Sequence, residues 1–162
     1  MRLTIRSLVL SVACLGLSAL LVGSAFAQSD PQIGVWKLNV AKSKYSPGPA
    51  PKSATTKIEA AGTGTKVVVD QVLADGTKRH YEFTANYDGK DSPVIGTNPD
   101  ADMVARTRTN ATTVQTISKK GGKVTTTQTS VVSSDGKTRT VTTTGVNASG
   151  QQVNNVAVYE KQ

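Results

Sequence analysis

From residue 33 onward, apolar and polar positions alternate in short runs rich in valine and threonine. No stretch repeats apolar residues at helical spacing over three turns. Nine strands are predicted, at residues 33–40, 54–60, 66–73, 78–86, 103–109, 112–119, 123–133, 138–146 and 153–160. In the first of them Trp36, Leu38 and Val40 share one face, with Val35 and Lys37 on the other. Turn chemistry separates the runs. Asp75-Gly76 is the strongest hairpin signal, because both residues tolerate positive φ. Ala61-Gly62-Thr63-Gly64, Asn110-Ala111, Gly121-Gly122, Asp135-Gly136 and Ala148-Ser149-Gly150 mark further turns. Two longer segments read as loops. One is 41–51, whose Pro47 and Pro49 cannot donate ladder hydrogen bonds; the other runs from Asp88-Gly89 through Pro93 to Asn98-Pro99.

Most of these connections are too short for a parallel crossover, which takes about a dozen residues or more, so neighbouring strands must be antiparallel. A meander of this kind leaves two unpaired edges, and closing on itself removes them. The predicted fold is therefore all-β, an antiparallel up-and-down meander closed into a barrel of about 8–10 strands. Such a barrel has an interior that side chains fill or that admits one small ligand. A two-sheet β-sandwich is the alternative, but the long crossovers it needs are scarce after residue 100. Threonine saturation from Thr107 to Thr144 keeps that part of the sheet wet without charge, and gives it little apolar surface for a deep greasy cavity.

The N-terminus changes the chain's address. Arg2 and Arg6 precede an apolar run from Leu8 to Val22, and Ala25-Phe26-Ala27 supplies small residues for cleavage. Residues 1–27 read as a secretory signal peptide, leaving 28–162 as one β-barrel domain, exported to a bacterial periplasm or the exterior. No membrane span is expected after cleavage. Cys14 is the only cysteine and leaves with the signal, which excludes disulfides, thiolate metal sites and cysteine nucleophiles. Loss of Arg2 and Arg6 lowers the net charge from +8 to +6. Most lysines are scattered, as on a solvated surface, and the densest cluster is Lys119, Lys120 and Lys123 around a glycine turn. No aromatic residue is interleaved with that cluster to stack a nucleobase, so specific nucleic-acid binding is not expected.

Gly34-Val35-Trp36-Lys37-Leu38 opens this domain and Val158-Tyr159-Glu160-Lys161 nearly closes it. Together they resemble the calycin superfamily, the lipocalins and fatty-acid-binding proteins. In that superfamily a G-x-W on the first strand packs across the closed end of the barrel. The fatty-acid-binding branch typically ends its last strand in a V-Y-E-K-like sequence. Nearly the whole domain also looks like uncharacterised secreted bacterial lipocalin-like proteins, through its G-x-W-K-L-N start, K-S-K-Y-S-P-G-P-A-P loop and N-N-V-x-V-Y-E-K end. The resemblance implies that Gly34 and Trp36 plug the barrel and that first and last strands pair. Where fatty-acid-binding proteins carry an arginine, two residues before the final tyrosine, this chain has Ala157; the helical lid and the lipocalin cysteine pair are absent from the sequence as well.

Candidate chemistry is sparse. His80 lies on the opposite strand face from Tyr81 and Phe83 and reads as solvent-facing; no second histidine or G-x-S-x-G accompanies it. Asp100 and Asp102 lack the remaining ligand spacing of a calcium loop and read as turn residues. Asn110 and Asn147 likewise read as turn asparagines, and Asp70 as solvent-facing. The expected function is non-enzymatic binding of a small apolar or amphipathic molecule, with Tyr81, Phe83 and Tyr159 as wall residues. No cofactor or metal is called for. The alternative is a structural or adhesive envelope module whose barrel is filled, and whose Lys119, Lys120 and Lys123 touch anionic polymer.

Overall fold

The computed structural model describes residues 30–162; the predicted signal peptide, Cys14 and the cleavage site lie outside the described residues. Eleven strands form: β1 (Gly34–Lys44), β2 (Ser53–Ala61), β3 (Gly64–Val72), β4 (Lys78–Asn86), β5 (Asp88–Pro93), β6 (Ile95–Gly96), β7 (Met103–Arg108), β8 (Thr113–Lys120), β9 (Lys123–Val132), β10 (Thr138–Val146) and β11 (Gln152–Lys161). No helix occurs among the described residues. The strands join into one antiparallel sheet in the order β5-β7-β8-β9-β10-β11-β1-β2-β3-β4-β6. Sheet curvature brings its two ends together, where β4 meets β5 and β7. The result is a nearly closed barrel rather than a two-sheet sandwich.

The first and last long strands pair, with Trp36 opposite Lys161 and Leu38 opposite Tyr159. That ladder joins the two halves of the meander, β1–β4 and β7–β11. Inward positions then follow the period of two. Trp36 and Leu38 on β1, Val67 and Val69 on β3, Phe83 and Ala85 on β4, and Ala157 and Tyr159 on β11 are all buried in one core.

The structure departs from the sequence reading in two places. Segment 88–96 was expected as a loop, yet it supplies two short strands. Ser92 pairs with Val104 and Pro93 with Met103 on one side of the seam, while Ile95 and Gly96 pair back to β4 on the other. Proline is accommodated because β5 is an edge strand. Strand β1 also runs on to Lys44, with its register against β11 slipping between Asn39 and Lys44. The slip re-aims the backbone, so Val40 is 40% exposed instead of sharing the inward face of Trp36 and Leu38. Ser43 stitches the irregular stretch: its hydroxyl donates to the Asn39 carbonyl at 2.7 Å and accepts from the Val158 N–H at 2.9 Å.

Close backbone approach explains Gly64. It faces Asn86 across the β3–β4 ladder, and a Cβ there would stand 2.6 Å from the Asn86 Cα and collide with the Ala85 carbonyl. Gly64→Ala should therefore destabilise the barrel by about 1–3 kcal/mol. Urea unfolding followed by the emission of Trp36, the single tryptophan, measures this directly.

Candidate functional site

The closed end is built by the residues just before β1. Trp36 is completely buried, and its indole N–H donates to the Gln32 carbonyl at 2.9 Å. Gly34 has φ +143°, a conformation that disfavours a side chain, and the Lys161 ammonium lies 5.1 Å from the centre of the Trp36 ring. Gln32, also completely buried, spans the barrel floor. Its amide donates to the carbonyls of Thr112 (2.9 Å) and Ser130 (3.3 Å). Its side-chain oxygen accepts from the Ser130 hydroxyl (2.9 Å) and from Arg139 Nε (3.0 Å).

Asp30 completes this end. It accepts from the Gln32 N–H at 2.9 Å, from the Tyr87 hydroxyl at 2.6 Å and from Arg108. Burial alone raises its carboxyl, but the bonds from Tyr87, Arg108 and Gln32 outweigh that and hold it below the usual aspartate range. A depressed acid stabilises the fold at pH values above its unfolded pKa of about 3.9 and loses that contribution as pH falls. Asp30→Asn should therefore cost about 1–2 kcal/mol at pH 7. The gap to the parent protein should shrink when urea midpoints are measured below about pH 4.

Above this floor the barrel holds a cavity of about 530 Å³. Val67, Val69, Tyr81 and Phe83 from β3 and β4 make one wall, and Thr116, Ser118 and Thr126 from β8 and β9 face it as a polar one. The threonine-rich region expected to lack apolar surface is that polar wall. Tyr159 and Ala157 join from β11, and Tyr45, Pro47 and Pro49 from the β1–β2 loop rim the mouth with Asp75, Asn98 and Asn147. The three wall residues expected from sequence, Tyr81, Phe83 and Tyr159, thus all line one cavity. Desolvation raises the phenols of Tyr45, Tyr81 and Tyr159 above the ordinary tyrosine range, so they enter the cavity as neutral hydroxyls.

Sequence reading missed the two arginines inside. Arg106 (2% exposed, on β7) and Arg139 (8% exposed, on β10) both line the cavity. Arg139 stands opposite Tyr159 in the β10–β11 ladder, its guanidinium 5.8 Å from the ring centre. Arg106 donates to the Thr65 hydroxyl and lies 5.9 Å from the Phe83 ring centre and 5.0 Å from that of Tyr87. Burial pushes both guanidiniums down, Arg139 to about 10, which still leaves it protonated at neutral pH.

The remaining expected positions lie elsewhere. His80 is exposed, with Nδ1 2.7 Å from the Asp70 carboxylate on the outer face of β3–β4. Lys119 is tied to Asp91 at 2.8 Å, while Lys120 and Lys123 are exposed, so the basic cluster is split. Asp100 accepts from the Ala148 N–H and Asp102 from the Gly121 N–H, both at 2.9 Å, pinning the segment before β7 to two turns at the open end. Asn110 and Asn147 cap their own turns through backbone N–H groups.

Fold and cavity together define the class of protein: an all-β, nearly closed antiparallel barrel around an internal cavity, compatible with a calycin-like architecture. No protein-family model matches the chain, and no curated protein matches it in sequence.

Proposed function

We propose that the chain is an exported, lipocalin-like barrel that binds one small amphipathic molecule in its interior without transforming it. The observation that carries this reading is the cavity of about 530 Å³ with one apolar and one hydroxyl-rich wall. Its volume falls within the roughly 300–1,000 Å³ range of small-molecule pockets. An amphipathic guest matches both walls, its chain against the apolar one of Val67, Val69 and Phe83 and its polar part toward Thr116 on the hydroxyl-bearing one. The terminal-strand motifs around Trp36 and Tyr159 add support from sequence.

Displacement of a fluorescent hydrophobic dye by a panel of single-chain amphiphiles tests the reading. Thr143→Trp, a cavity-lining position on β10, should fill the space and weaken dye and amphiphile binding by about tenfold or more, with the urea midpoint little changed. A folded parent protein that binds neither dye nor amphiphile would refute the reading. Export is tested separately: the intact mass of the secreted protein should correspond to a chain beginning at Gln28.

A further inference from the structure

Arginines 106 and 139 carry positive charge into the deepest part of the cavity without a carboxylate to meet it. Among the described residues neither makes an ion pair, and the Nε–H of Arg106 has no hydrogen-bond partner at all. The groups that touch them are neutral: the Thr65 hydroxyl, the Gln32 side-chain oxygen, and the faces of Phe83, Tyr87 and Tyr159; Asp30 and Arg108 act on Arg106 only from farther off and with opposite sign. The half-buried carboxylate nearest them, Asp30, is bonded instead to Arg108, Tyr87 and the Gln32 N–H. Asp75 and Asp100 line the cavity from the loops of its open end, where Asp75 is exposed and Asp100 is held by Ala148.

A charge taken out of water is expensive unless something of opposite sign compensates it. Two methionines would fill the same space without that penalty, so arginine at both positions points to what the cavity receives. Guanidinium groups present planar, forked donors that match oxoanions. Two cations with no carboxylate bonded to either, and with the Thr116 hydroxyl level with Arg106 in the β7–β8 ladder, suit a head group with two negative charges and several acceptor oxygens.

We propose that Arg106 and Arg139 form an anion-binding floor, and that the ligand is an amphiphile entering head first, with a dianionic head of the phosphate-monoester type. The tail then runs up the wall of Val69 and Tyr81 toward the proline-rimmed mouth. This rests on the ligand-binding reading given above and specifies the head group that reading leaves open.

Competition against a bound dye, using decyl phosphate, decanoate, decanol and inorganic phosphate, tests it. The parent protein should bind decyl phosphate most tightly, about 30-fold better than decanol. Inorganic phosphate should compete only at far higher concentration, because it brings no tail. Arg106→Met and Arg139→Met should each narrow the ratio between decyl phosphate and decanol affinities toward one, and the Arg→Lys variants should keep part of the preference. Decanol binding as well as decyl phosphate would overturn the anionic floor and leave the ligand-binding reading standing. Equal affinity for decanoate would overturn the dianionic head, and equal affinity for inorganic phosphate would overturn the amphiphile. A preference surviving loss of both arginines would overturn their role. Binding of none of the probes, or of the dye, by the folded protein would overturn both readings.

Discussion

Alanine in place of Trp36 is expected to destabilise the protein by about 3–5 kcal/mol, the largest effect of any single substitution considered. Nothing near the closed end can take the indole's place. The side chain is completely buried, and strand β1 is held between β2 and β11, so the backbone has little freedom to collapse into the space left behind. The Gln32 carbonyl would lose its 2.9 Å donor as well. For a chain of this size the loss corresponds to a fall of roughly 10–20 °C in Tm. Far-ultraviolet circular dichroism must report it, since the variant has no tryptophan. Trp36→Phe keeps most of the apolar body and removes the N–H, so it should recover more than half of the deficit.

Gln32→Leu is expected to cost about 2–4 kcal/mol by a different mechanism. Leucine is close in size and more hydrophobic, so burial alone predicts a neutral or favourable change. Hydrogen bonding predicts the reverse. The substitution strips partners from the Thr112 and Ser130 carbonyls, the Ser130 hydroxyl and Arg139 Nε, all at the closed end and, apart from the half-buried Thr112, away from bulk water. Four groups that lose a partner, at about 1–3 kcal/mol for each one left unsatisfied, outweigh the roughly 1.5–3 kcal/mol that burying a leucine contributes. Arg139 would also lose its anchor, so any preference for anionic amphiphiles should weaken together with stability. Urea unfolding followed by Trp36 emission reads the first effect and dye competition the second. A variant as stable as the parent would mean that this polar floor contributes nothing to the fold.

The long strands were legible in the sequence because each has a buried and a wet face, and alternation with period two reports that directly. Tyr81 and Phe83 were legible for the same reason: their spacing puts them on one face, and Val67 and Val69 opposite them fix that face as the inner one. Strands β5 and β6 were not, since Asp88–Pro93 has no apolar alternation and Ile95–Gly96 is only two residues long. Their conformation comes from the ladders of β7 and β4, not from their own residues. The outward turn of Val40 was hidden as well, because a bulge depends on how two distant strands register.

The arginines were missed because a charged residue in a β-run reads as solvent-facing. The signal lay in pairing: Arg139 is two residues from inward Val141, and its cross-strand partner is Tyr159. Once the last two strands are aligned, Arg139 shares the tyrosine's inner face. Gln32 left no such trace. It precedes the first strand, outside any periodicity, and its place is set by contacts about 80 to 107 residues away in sequence. The basic cluster changed meaning for a related reason, since the partner of Lys119, Asp91, sits on the strand that the sequence concealed.

Native mass spectrometry of the protein recovered from its own host, without extraction or denaturation, tests the binding claim most directly. A folded barrel carrying one small molecule that releases as an anion on activation, and that is missing from an Arg106→Met/Arg139→Met double variant, is the expected result. A folded parent protein found only at its bare chain mass would contradict the claim.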